Sequence, residues 1–344
     1  MSSIRSEAAA PIPAGWQFDM LKFWSGLGLA WLLFIAYVIG RWMLSASFVP
    51  THPGPDVMPE HVRLAVQWSQ VLGPLGWLVI IWHWLIKPWR RNGQPSIEGL
   101  LVIGWTLVYF QDPLMSYTAN HLTYNAHLVN YGAWTTGIFP GWTAPNTDKL
   151  AEPFVVGLTA YIYAGFLPAV FIASCLRGAR ARWPQAGLGL PLLLAFIALM
   201  FIDTLIESTI IRFELMTYPG SIHAISLWPG TQYQFPMSEA LTWGANMMTS
   251  TLLLAFRYDN GQTLIERGMH RHQHAPRRVQ LMRVFAAVAF VQMGQLTMWS
   301  IPMQWFGTHG DPWPALPSYL RNGICGEGTA LACPGPGEAI PRAH

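Results

Sequence analysis

Seven stretches of the chain are apolar for about twenty residues or slightly more, at 23–46, 64–87, 97–116, 152–175, 188–210, 237–256 and 281–302. A helix rises ~1.5 Å per residue, so each stretch reaches across a hydrocarbon layer ~30 Å thick. In lipid every backbone N–H and C=O needs an internal partner, which makes these segments helices rather than strands. The third runs into Gln111, Asp112 and Pro113, and the sixth carries Asn246, so these two have the weakest apolar signal. The pattern predicts an all-α, polytopic transmembrane bundle of about seven spans over residues 23–302. A polar, Ala/Pro-rich segment over 1–22 precedes it and is expected to be a disordered cytoplasmic tail. A Gly/Pro-rich, non-cytoplasmic tail over 303–344 follows.

The connecting segments add an orientation. Lys87, Arg90 and Arg91 lie in one loop, Arg177, Arg180 and Arg182 in another, and Arg257, Arg267, Arg271, Arg277 and Arg278 in a third. The alternate segments hold only Arg63, Lys149, Arg212, Arg321 and Arg342. Basic loops stay in the cytoplasm, so this alternation puts the N-terminus inside and the C-terminus outside, in a membrane such as the bacterial inner membrane. Composition agrees: charged residues are 11% of the chain and hydrophobic ones 52%, unlike a soluble domain. Eighteen Trp and eleven Tyr suit membrane interfaces, and a net charge of +3 gives no footprint for nucleic acid. Cys325 and Cys333 fall in the outer tail, where an oxidising compartment allows a short disulfide. Cys175 sits at a cytoplasmic helix end. No cleavable signal peptide and no internal repeat is visible.

Ionisable groups inside spans cost ~2.5–3.5 kcal/mol each at the centre, so they are functional candidates by default. Asp203 and Glu207 are four apart in LLLAFIALMFIDTLIESTII and share one helix face. Two such carboxyls in a low dielectric cannot both ionise cheaply, and one that keeps its proton can act as a general acid. The bland reading is a structural pair hydrogen-bonded to a neighbouring helix. Asp112 ends the third span in FQDP, where an Asp before Pro can also be a simple helix terminus. Glu239 opens the sixth span, where a carboxylate can merely complement the helix dipole. All four catalytic candidates (Asp112, Asp203, Glu207, Glu239) fall toward the outer side. Glu214 lies just past the fifth span, and Arg212 there suits pairing with a carboxylate or contact with a ligand.

The longest internal outer loop, 117–151, is dense in Asn, Tyr, Trp and His. Long loops of this kind often bind or cover a ligand. Asn120, His121, Tyr124, Asn125 and His127 are its candidate substrate contacts, and Tyr233 and Gln234 are those of the other outer loop. The competing reading is a loop anchored by aromatics on the membrane surface. His121 and His127 have the wrong spacing for one helical face, and no HExxH or repeated HxxxH occurs, so no metal or cofactor is expected. His270, His272 and His274 form only a tract of the sort that picks up adventitious metal. His83 is the one histidine well inside a span, too little for paired haem ligands. No P-loop, GxGxxG or GxSxG is present.

Five fragments taken together carry a resemblance: FQDPLMSY, LTYNAHLVNYGAW, FPGWTAPN, YPG…LWPGTQYQFPMSEAL and FRYDNGQTLIERG. The chain resembles the AveC family of membrane spirocyclases from about residue 100 to 268. The resemblance implies closure of a lipophilic dihydroxy-ketone into a spiroketal, with a possible dehydration of the new ring. It implies no residue set, so Asp112, Asn125, His127 and Glu239 are candidates because they lie in the shared fragments, and Asp203 and Glu207 on physical grounds alone. Two rival classes are a transporter or receptor for a lipophilic molecule, using Asp203 and Glu207 for proton coupling, and a metal-dependent membrane oxidoreductase. In each case the partners are a lipophilic small molecule and the bilayer.

Overall fold

A computed structural model of the protein describes residues 18–258, 261–272 and 274–334. Most of the expected N-terminal tail, the last ten residues and Asp259 of the FRYDNGQTLIERG fragment lie outside these. Among the described residues seven long helices follow one another: α1 (Met20–Met43), α2 (Glu60–Asn92), α3 (Ile97–Leu107, continued as a 3-10 segment over Val108–Ser116), α4 (Phe154–Arg182), α5 (Gly189–Arg212), α6 (Met237–Ala255) and α7 (Pro276–Gly307). Five of them, α1, α2, α4, α5 and α7, are long and apolar enough to cross a membrane. The other two, α3 and α6, are the pair whose runs carry polar residues, and both are largely buried among their neighbours. A helix surrounded by protein does not need an apolar surface, which is why the signal fades there.

Helix limits have local causes. Asp19 caps α1 by accepting from Lys22 N at 2.9 Å, so the helix begins at Met20, ahead of the apolar run. Ser96 caps α3 by accepting from Gly99 N at 3.1 Å. Gly93 ends α2 with φ +69°, a left-handed conformation that glycine adopts without strain. Prolines inside the helices leave carbonyls without their usual N–H, and tryptophans take them up. The Phe110 carbonyl, three residues before Pro113, accepts from Trp134 Nε1 at 2.9 Å. The Ala164 carbonyl, four before Pro168, accepts from Trp243 Nε1 at 3.0 Å.

The connections segregate to two ends. At one end Arg257 pairs with Glu98, His272 with Asp19, and Arg283 with Glu266 at 2.7 Å. Glu266 also accepts from Thr263 N and Oγ1 at 3.0 and 2.8 Å, and Arg283 donates to Pro95 O at 3.1 Å. The ERG fragment is therefore a buried clamp for the loop that carries it. At the other end the remaining loops interlock into a cap. There β1 (Thr123–Tyr124) pairs antiparallel with β2 (Met216–Thr217), and β3 (Ser226–Leu227) with β4 (Phe235–Pro236).

The segment after α7 is part of this cap rather than a loose tail. A short helix, α8 (Ser318–Arg321), buries Ser318, Tyr319 and Leu320. Asn322 donates to Tyr124 O at 2.9 Å and accepts from Ala151 N at 3.0 Å. Cys325 and Cys333 are disulfide-bonded.

Candidate active site

A cleft with an internal cavity of about 90 Å³ lies just beneath the cap. Its walls are mostly apolar: Leu122, Leu128, Val156, Ala160, Ala164, Ile210, Leu215, Met216, Trp243 and Trp299. Into it project three carboxyls from three elements, Asp112 from the 3-10 end of α3, Glu207 from the last turns of α5 and Glu239 from the first turn of α6. The tighter winding over Val108–Ser116 is what carries Asp112 to the cleft, where a regular helix would have set a different face.

Each carboxyl has its own donors. Asp112 Oδ1 accepts from Tyr124 Oη at 3.0 Å and from Tyr161 Oη. Glu207 Oε2 accepts from Tyr218 Oη at 2.7 Å. Glu239 Oε1 accepts from Trp299 Nε1 at 2.6 Å, and its Oε2 is buried without a hydrogen-bond partner among the described residues. Burial pushes the Tyr218 and Tyr124 phenols well above their ordinary range, so both stay protonated and donate. A fourth carboxyl, Glu152, is 3% exposed and faces Asp112 from the turn before α4. Asp112 Oδ2 and Glu152 Oε2 have no donor among the described residues. One proton shared between these two carboxyls would join them as a carboxylic acid dyad.

Of the expected catalytic residues, Asp112, Glu207 and Glu239 meet at the cleft. Asp203 does not line it. It lies one turn from Glu207, fully buried, and neither oxygen has a hydrogen-bond partner among the described residues. Of the expected substrate contacts only Tyr124 lines the cleft.

The others hold the cap together or face outward. Asn120 donates to Pro145 O at 3.4 Å. Asn125 donates to Glu214 O at 3.0 Å and accepts from His127 N at 3.0 Å, while the His127 ring is exposed beside Tyr319. Gln234 donates to Tyr218 O at 2.7 Å and Pro219 O at 3.1 Å. Arg212 stacks between Trp228 and Tyr233 at 4.4 and 4.7 Å, and Tyr233 donates to Glu214 Oε1 at 3.0 Å. His121 is fully buried, with Nδ1 2.9 Å from Gly220 O, and burial drives its pKa down to about 4. The neutral ring must therefore donate from Nδ1 and leave Nε2 as a bare acceptor.

Sequence reasoning missed Glu152, Tyr161, Tyr218, Trp243 and Trp299. Glu152 had a signal, a carboxylate at the very start of an apolar run. The aromatic residues had none, being a few among many.

Among the described residues no group of three or more His, Cys, Asp or Glu side chains is arranged to hold a metal ion. Fold and site together define a helical protein of membrane type with an apolar cleft whose polar groups are carboxyls and their phenol and indole donors. The chain belongs to the spirocyclase AveC-like family, whose match spans residues 89–319, more than half its length. That stretch contains Asp112, Glu152, Asp203, Glu207 and Glu239. No curated protein and no solved structure matches the chain.

Proposed function

We propose that the protein is a membrane cyclase that closes a lipophilic, polyketide-like dihydroxy-ketone into a spiroketal by carboxylic acid–base catalysis. The observation that carries this reading is the convergence of Asp112, Glu207 and Glu239 on one apolar cleft, in a chain of the spirocyclase family.

The chemistry asks for an acid, a base and a dry pocket. A carboxylic acid protonates the ketone oxygen while the first hydroxyl adds to the carbonyl carbon, and that hydroxyl's proton passes to a carboxylate. A second protonation releases the hemiketal oxygen as water and leaves an oxocarbenium ion. The second hydroxyl captures this ion, and its proton returns to the carboxyl that gave one, so the net change is loss of one water. Asp112, with two phenol donors, suits the negative charge that steadies the cation. Glu239, with Oε2 free of partners among the described residues, suits proton donation. Glu152 shares a proton with Asp112 and restores it between steps. Trp243 and Trp299 hold the chain of the substrate in one fold, the source of stereochemical control. Dehydration of the new ring would use the same acid and base. We place the seven helices across a bacterial inner membrane with N-terminus in and C-terminus out, and the cleft toward the non-cytoplasmic side.

A second reading is a transporter or receptor with Asp203 and Glu207 as a proton-coupling pair. Its support is the unpartnered carboxyl of Asp203, which lies outside the cleft. The test is chiral chromatography of products from purified protein given a panel of lipophilic dihydroxy-ketones. The expected outcome is one enriched stereoisomer, with Asp112→Asn and Glu239→Gln each lowering its rate by ~10²–10⁴-fold and Asp203→Asn changing it little. Product ratios at the uncatalysed background for every substrate would sink the cyclase reading.

A further inference from the structure

The two helices that wall the cleft, α4 and α5, pack on each other only in part. From Leu167 onward α4 lies against α5, whereas its first two turns lie against α2 and α3 instead. The helices therefore form a V, closed toward the basic-loop end and open toward the cap. The cleft occupies the open part, and α4 lines it with a single stripe of Val156, Gly157, Ala160, Tyr161 and Ala164.

Exposure shows where the mouth is. Of the lining residues, Val156, Ala160 and Ala164 on α4, Ile210 at the end of α5, and Leu215 and Tyr124 beside it are half-buried, and all the rest are buried. Four of these six lie on α4 and α5, within segments apolar enough to sit in a membrane, and the other two on the adjoining edge of the cap. The flanking side chains are apolar and outward-facing as well, Phe154 at 45% and Leu205 at 54% exposure. Toward the cap the cleft is roofed: β1 pairs with β2, and Leu128 is buried with Val62 and Val66, packed by Met58, Val156 and Leu215.

We propose that the gap between α4 and α5 is a lateral portal through which the substrate enters directly from the acyl-chain region of the bilayer. The ligand class is an elongated apolar molecule with its few oxygens at one end. Its tail stays between the lips at Ala160 and Ile210 while its oxygens reach Asp112, Glu207 and Glu239. The small side chains on the α4 lip leave the width such a chain needs. Which molecule passes rests on the cyclase reading; the opening itself does not.

The test uses full-length protein in phosphatidylcholine vesicles, with Cys175, the free and exposed cysteine, changed by Cys175→Ser. Nitroxide labels are placed through Ala160→Cys and Ile210→Cys, with Leu205→Cys as lipid-facing reference and His127→Cys as water-facing reference. The expected result is that labels at 160 and 210 collide with oxygen in preference to a water-soluble nickel chelate, as the label at 205 does. A preference for the chelate, as at 127, would overturn the portal, and so would collisions with neither reagent. In a second arm, a long-chain fatty alcohol bearing a diazirine is dissolved in the vesicles and photolysed. Label is expected on residues 154–164 and 207–216 and is lost in the Ala160→Trp, Ile210→Trp double variant. Label only on other segments, or unchanged by the double variant, contradicts the proposal. Labelling of the portal in protein that cyclises no dihydroxy-ketone would leave the portal standing and remove the cyclase.

Discussion

Protonating His121 removes the basis on which it was buried. Its neutral ring donates from Nδ1 to Gly220 O and keeps a bare, buried Nε2, with a pKa of about 4. In the unfolded chain the same ring titrates near ~6.5. Between those values the unfolded state binds the extra proton, so folding stability falls as pH drops below ~6.5 and has lost roughly 3 kcal/mol by pH ~4. Melting of the detergent-solubilised protein across this range should show the loss, and His121→Asn, whose amide can still donate to Gly220 O, should flatten it. Equal pH dependence in the variant would refute the assignment. The comparison also shows what single residues disclose in a sequence. Asp112, Glu207 and Glu239 are legible because a carboxyl in an apolar run costs energy that something must justify. His121, Asn120, Asn125 and Gln234 look like ligand contacts for the same reason, but the cap spends their hydrogen bonds on its own backbone. A phenol such as Tyr161 or Tyr218 is at home in any membrane helix or interface, so nothing marks it as a carboxylate's partner.

Elements obey run length where they meet lipid and neighbours where they do not. The five helices long and apolar enough to cross a membrane follow their apolar stretches, with limits shifted by a cap such as Asp19. The conversion of α3 to a tighter winding at Val108 and the two-residue strands of the cap have no periodicity to read, since partners distant in sequence create them. Helix contacts are equally invisible until built. At Gly28 of α1 a Cβ would stand 1.9 Å from the carbonyl oxygen of Phe285 in α7, so the two helices touch backbone to backbone there. Gly28→Ala should force them apart at a cost of ~1–3 kcal/mol, seen as a lowered melting temperature, whereas Gly40→Ala in the same helix, where nothing lies within 4 Å, should not destabilise. A neutral Gly28→Ala would mean that the α1–α7 seam is loose.

At the scale of the molecule, the alternation of basic and non-basic loops along the chain becomes two chemically different ends in space. The basic end is knit by Arg257–Glu98, His272–Asp19 and Arg283–Glu266, the opposite one mainly by hydrogen bonds, several of them to the carboxylates of Glu214, Asp56 and Asp311, and by one disulfide. This division was legible in the loops; that the cap also roofs a cleft was not, because the roof depends on β1 meeting β2 across some ninety residues. The inferred orientation predicts a labelling pattern in sealed vesicles of native sidedness. A membrane-impermeant maleimide should reach Cys325 and Cys333 from outside only after reduction, and should leave Cys175 unlabelled until the vesicles are opened. Labelling of Cys175 first would invert the topology.

The docking of α8 has a further consequence for how such a molecule is made. Tyr319 donates to Glu214, and Asn322 ties Tyr124 to Ala151, so the roof is locked by residues that leave the ribosome after all seven helices. Until these residues have been made and docked, the carboxyls stand in an unfinished chamber. On the proposed topology and activity, a nascent chain inserted in full would still be chemically idle, and the chamber would be completed only in a molecule whose every preceding helix is in place.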